Sequence, residues 1–349
     1  MDTARHGSTS ANPSDLAVAT PAAGDAHGPA KRRRPAALTH LPARYSILVV
    51  WAALILFYSL TESATFPHVT TFQAIFNSQE HLVFMTMALL CTITIGEFVD
   101  LSVPSVFGFA GTIMPVLVVN HNWNVWVASL AAVICAGLVG AVNAFLIVKM
   151  GVNTIVVTLG MSTLLLGISM LISNDNTISG LPNSFQNLAL KDVGGLPISF
   201  YYGVVLVLVF AYILAYTPLG RHMRFVGASR EVSRLSGVRV DRIRFGSFVF
   251  AGLISGVGAI ITVAYVGSFN ASSASQYLLP VFAAVFLGTA VFEPGRFNPL
   301  GTFVGIYFLS TGVIGLQLHS AAVWIEPVFY GAVLVVAVTI STVLHRRAT

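Results

Sequence analysis

Charge is what this chain of 349 residues most lacks: Lys, Arg, Asp and Glu together supply 9% of it, against roughly a quarter in ordinary soluble domains. Hydrophobic residues supply 56% and the mean hydropathy is +0.82, which excludes a water-soluble globule and predicts a polytopic membrane protein. Lysine is scarcer still. The three lysines, Lys31, Lys149 and Lys191, are followed by Arg, Met and Asp, so no Gly-x4-Gly-Lys-Ser/Thr loop can exist and the chain does not bind ATP through one. There is no His-Glu-x-x-His, and the nine histidines lie scattered without ligand spacing, so no metal site is expected. The two cysteines, Cys91 and Cys135, sit inside apolar runs and read as small packing residues. No Ser, Asp or His constellation lies at depth, so the chain is not expected to be an enzyme. Buried ionisable groups are also too few for an ordinary proton- or sodium-coupled carrier, the alternative reading alongside a channel, so energy is expected to enter from outside the bilayer.

What is present begins with a tail, residues 1–44, rich in Ala, Pro, Ser and Gly and carrying the basic run Lys31 to Arg34. Its composition predicts a disordered cytoplasmic segment with no nucleic-acid role. Residues 45–349 follow as a helical membrane domain. Ten apolar runs, at about 45–60, 81–99, 103–119, 125–148, 154–173, 201–216, 245–266, 278–292, 299–316 and 322–344, approach the ~20 residues that cross a bilayer. The fold expected is therefore an all-α polytopic bundle of about ten transmembrane helices, some interrupted, in a cell membrane. With ten alternating helices, 17 of the 18 basic residues fall on one side and only Lys191 on the other. This positive-inside bias puts both termini in the cytoplasm.

Two places break the apolar pattern alike. Gly96 to Ser105, with Glu97, Asp100 and Ser102, follows the second run; Gly288 to Pro299, with Glu293, follows the eighth. Matching interruptions in two halves of a transporter point to a central pathway. Glu97, Asp100, Ser102, Asn143, Thr158 and Glu293 are its candidate lining residues, with helix capping by Asp100 and Ser102 as the competing role. The longest external loop, Ser173 to Ser199, is either a plain connection or a rim for an external partner.

The largest charged island, Gly220 to Arg244, holds seven of the 18 basic residues between two apolar runs. Within it, Ala228 to Ser236 reads as a nine-residue helix of about 13 Å, with Gly227 and Gly237 permitting sharp turns at its ends. Val232 and Leu235 share one face, and Glu231 can pair locally with Arg234. An apolar knob among charges, held between two membrane helices, suits transmission of motion from a cytoplasmic partner.

The segment Thr217 to Arg244 closely resembles the cytoplasmic coupling loop of permease subunits in bacterial ATP-binding-cassette importers of the ribose, xylose and galactoside type, within the branched-chain and monosaccharide permease superfamily. That loop reads Gly-Arg-x4-Val-Gly-x3-Glu-Ala-Ala-Arg-Leu-Ser-Gly-Ile. Further matches are Asp100 to Val103, Asn143 with Lys149 and Val152, Val157 to Gly160, and Ile178 to Pro182. The resemblance implies a coupling role for Gly227, Glu231, Val232, Arg234, Leu235, Ser236 and Gly237. It implies a bacterial inner-membrane setting, a second permease subunit as a homodimer, a cytoplasmic ATPase carrying the ATP and Mg, and a periplasmic or lipid-anchored solute-binding protein. The cargo it implies is a monosaccharide or similar small polar solute. Affinity would reside mainly in that binding protein, with a weak or absent site in the chain itself. The sequence departs from the family where Glu97 and Pro104 replace glycines, where Val291 to Pro294 interrupt a glycine-rich run, at Leu166 in place of an arginine, and at Val232-Ser233 in place of Ala-Ala.

Overall fold

The computed structural model describes residues 45–348 except Phe98, Pro294, Ser320, Ala321 and Val323, with side chains described as far as residue 339 apart from Ser46. The tail expected at 1–44 and the basic pair Arg346-Arg347 therefore lie outside the described side chains.

Every apolar run becomes helix, as a chain whose peptide groups must be satisfied in hydrocarbon requires. The first part comprises α1 Ser46–Thr61, α2 Val69–Asn77, α3 Glu80–Ile93, α4 Val103–Pro115, α5 Val125–Ala144 and α6 Thr154–Ser173. It continues with α7 Asn183–Leu190, α8 Ile198–Tyr216, α9 Pro218–Ala228 and α10 Arg230–Leu235. The last part is α11 Val240–Val266, α12 Leu278–Gly288, α13 Pro299–Leu318 and α14 Ile325–Ala348. Wide π-helical turns extend α4 to Asn120 and α5 to Lys149, and a 3-10 turn, Ala271–Tyr277, leads into α12. Seven helical segments among the described residues are long and apolar enough to cross a membrane, and those of α1 and α14 are shorter apolar helices. The expected second span is different: α3 stops at Ile93, about 21 Å long, because Gly96 takes a left-handed backbone (φ +82°) and the chain turns.

The 27-residue α11 forms the axis, packing against α5, α3 and α4. Small residues let the backbones meet. A Cβ at Gly252 would lie 2.4 Å from the Ala136 carbonyl oxygen, and one at Gly140 2.4 Å from that of Phe248. Close approach of this kind holds helices together where lipid supplies no hydrophobic drive between them. Outward faces carry large apolar side chains, among them Leu130, Ile134 and Leu138 on α5 and Val156, Leu159 and Leu171 on α6. The loop Ser173 to Ser199 carries secondary structure of its own. It holds α7, a ribbon pairing Asp192–Val193 with Leu196–Pro197, and the strand Ile178–Ser179 paired antiparallel with Ser268–Phe269 beyond α11.

Candidate functional site

The island folds into α9, α10 and the first turns of α11. Thr217, extended at the end of α8, accepts from the Gly220 amide with its hydroxyl and so caps α9, whose first residue Pro218 has no amide to orphan. Ser229 is extended in turn and its hydroxyl accepts from the Val232 amide, which opens α10. The short helix thus runs from Arg230 to Leu235, narrower than the expected Ala228 to Ser236. At its far end Gly237 is left-handed (φ +81°), and its amide and that of Val238 return to the carbonyls of Arg234 and Ser233.

Gly227 does not make the opening turn expected of it; it lies inside α9, and its role is contact. A Cβ there would lie 2.2 Å from the Thr94 carbonyl oxygen, so only hydrogen allows α9 to touch the turn after α3. The local Glu231–Arg234 pair also does not form. Arg234 reaches Asp241 at 3.4 Å, and Glu231 projects outward with no ion pair among the described residues. Val232 is 50% exposed and Leu235 83%, while Ser233 is buried beneath them. Ser236 and Gly237 are exposed beside them. The coupling candidates therefore split into an exposed set, Glu231, Val232, Arg234, Leu235, Ser236 and Gly237, and Gly227 on the island's inward face.

That inward face closes on Glu97. Its carboxylate, 5% exposed, accepts from Arg230 Nη2 at 2.7 Å, from Arg244 Nε at 2.9 Å and also from Arg244 Nη2. The other oxygen accepts from Thr154 Oγ1 at 2.7 Å, and Arg230 donates to the Gly96 carbonyl at 3.2 Å as well. One carboxylate thus ties the turn after α3 to α6, α10 and α11, and it is a charge node, not an open lining group. Burial would be prohibitive for the ion alone; charge-assisted bonds from two guanidinium groups compensate. The second interruption makes a looser version of the same link, with Glu293 after α12 standing 3.8 Å from Arg224 of α9.

The remaining pathway candidates are buried. Asp100 accepts from the Ser102 amide at 3.1 Å and hydroxyl at 2.6 Å, an Asx turn that sets the start of α4. Asn143 Nδ2 donates to Ser102 Oγ at 2.9 Å. These three groups line a small pocket between α4, α5 and α11. Thr158 turns its hydroxyl back to the Thr154 carbonyl at 2.9 Å. Asp100, Ser102 and Asn143 share one network, and Glu97 and Glu293 belong to the island. Sequence reasoning overlooked Arg230 and Arg244 as Glu97 partners; the replacement of a family glycine by an acid at 97, with unassigned arginines in the island, was the available signal.

The family model described as "Branched-chain amino acid transport system / permease component" matches residues 74–338. Among curated proteins, the chain is 28% identical over 313 residues to the autoinducer 2 import system permease protein LsrD of Escherichia coli K12, covering 87% of this chain and 94% of that protein. The LsrD proteins of Shigella flexneri and of Escherichia coli O157:H7 match with the same identity and coverage. No solved structure matches this chain.

Proposed function

The chain belongs to the branched-chain amino acid transport system permease family, and from that premise we propose that it forms the membrane pathway of an ATP-driven, binding-protein-dependent importer of a small polar solute, a monosaccharide in the first place. It is a multi-pass inner-membrane permease subunit of the ATP-binding-cassette import type, a transporter component and not an enzyme. The curated relatives are named for autoinducer 2 import, which supports a small solute cargo here.

The observation that carries the proposal is the two-sided island. Leu235 and Val232 stand exposed on α10 while Arg230, on the same helix, is tied to Glu97. A cytoplasmic ATPase seated on Val232, Leu235 and the exposed Glu231 moves α10. The Glu97 node and the Gly227 contact pass that displacement to the turn between α3 and α4 and to α11, the axis of the bundle. Arg224 and Glu293 carry it to the second interruption. Inward and outward openings then alternate as the partner binds and hydrolyses its ATP with Mg. The exposed apolar face of α6, with Gly160 and Gly167 open to their surroundings, supports pairing with a second permease subunit, and the loop from Ser173 to Ser199 supports docking of a periplasmic binding protein.

Purification of the affinity-tagged chain from its native host tests this, with wild type beside Glu231→Lys and Leu235→Asp. An ATPase recovered with wild type and missing from both variants, with the chain still folded, is expected. A chain that emerges alone and moves solute in liposomes under an ion gradient refutes the reading.

A further inference from the structure

At the opposite end of α3 from the Glu97 node lies a cavity of about 270 Å³. Four elements close around it: the start of α3, the 3-10 turn before α12, the end of α13 and the start of α14. It is roughly 20 Å from the island, the length of α3, and so faces the side from which an imported solute arrives. Its polar lining is dense, with Gln79, His81, Gln276, Tyr277, Gln317 and Glu326 among the wall residues.

We propose that this cavity is a solute subsite of the permease itself and that it takes a neutral polyhydroxylated ligand of monosaccharide size; the inference rests on the importer reading and names its cargo class. The volume is just below the usual lower range of small-molecule pockets, about 300 Å³, which suits one sugar ring. Three carboxamides supply donors and acceptors together, and Glu326 supplies acceptors. That mixture matches vicinal hydroxyls, each of which donates and accepts. The groups are held in advance: Gln317 Nε2 donates to Glu326 Oε2 at 3.4 Å, and the Tyr277 ring lies against His81 with centroids 4.6 Å apart. Leu82, Pro280 and Val313 offer apolar surface for the C–H face of such a ring, and Tyr330 adds a second aromatic wall.

Charge decides against the other cargo class that the family description brings to mind. A free amino acid needs a cation for its carboxylate, and no Lys or Arg is among the described residues lining the cavity. Glu326 sets a negative group there instead, which disfavours carboxylates and phosphates alike. A subsite of this kind is the weak internal site, one of the two alternatives that the family resemblance left open.

The test is thermal unfolding of the full-length chain in nanodiscs, titrated with D-ribose, D-xylose, D-galactose and L-leucine up to about ten millimolar, where a millimolar site is largely filled. A saturable upward shift with at least one sugar and none with L-leucine is expected. Gln276→Ala and Glu326→Gln, both at the rim of the cavity, should each weaken that response about tenfold while the ligand-free protein melts as wild type does. A response to L-leucine, no response to any sugar, or a sugar response untouched by both substitutions would overturn the proposal. Recovery of the ATPase is read on the same preparations. An ATPase retained without a sugar response removes the subsite alone, and loss of the ATPase removes the importer reading on which it rests.

Discussion

Replacing Glu97 by Gln removes one charge and leaves almost the same shape. Arg244, with its side chain 11% exposed, would then keep a buried guanidinium with no carboxylate. Removing one partner of a buried pair costs about 3–5 kcal/mol. Arg230 is 42% exposed, so water takes over there and its share is below about 1 kcal/mol. The amide oxygen of Gln still accepts one bond, which places the expected loss near 3 kcal/mol, or roughly a hundredfold. The assay is the rate at which folded, monodisperse chain is lost in detergent at fixed temperature, because membrane proteins of this size seldom unfold reversibly. Glu97→Gln and Arg244→Gln should each accelerate that loss by one to two orders of magnitude. Their double variant should be no worse than the poorer single one, giving a coupling of about 2 kcal/mol. Arg234→Gln is the control, because its pair with Asp241 is largely exposed and its effect should stay within about 0.5 kcal/mol. Coupling indistinguishable from zero, or a control as damaging as Glu97→Gln, would refute the buried node.

Gly227→Ala places a methyl against the Thr94 carbonyl, and forcing the two backbones apart should cost about 1–3 kcal/mol; Gly246→Ala in α11, with nothing within 4 Å of the added carbon, should be neutral or slightly stabilising in the same thermal assay. Asn298 holds the second interruption together, donating to the Gly288 and Val291 carbonyls and accepting from the Gly301 amide. Asn298→Ala should therefore destabilise by about 3 kcal/mol, and Asn298→Asp, which keeps the capping oxygen but sets a second oxygen against two carbonyls, should be no better. Leu235→Asp should leave the melting temperature within error, since a residue 83% exposed loses no packing, while abolishing ATPase capture; a fall in stability would mean that α10 packs against this chain and not against a partner.

The sequence by itself determined which segments are helices, because a bilayer accepts only apolar runs with internally satisfied backbones. It marked both interruptions through Gly96 and Gly288, and the island through its arginines. The capping alternative for Asp100 and Ser102 was legible too, since an Asx turn is local. Helices that are apolar on every side carry no signal of which faces meet, so the sequence did not say what α11 packs against. Glu97 meets Arg230 and Arg244 across separations of 133 and 147 residues, and α10 began two residues later than expected because Ser229 could cap where Gly227 was needed for contact. The polar cavity draws on four elements far apart in the chain, and the absence of Lys and Arg among its described lining residues is a property of their assembly. Tertiary packing alone decided these, because charge pairing and cavity shape depend on which distant side chains the crossing helices bring within reach.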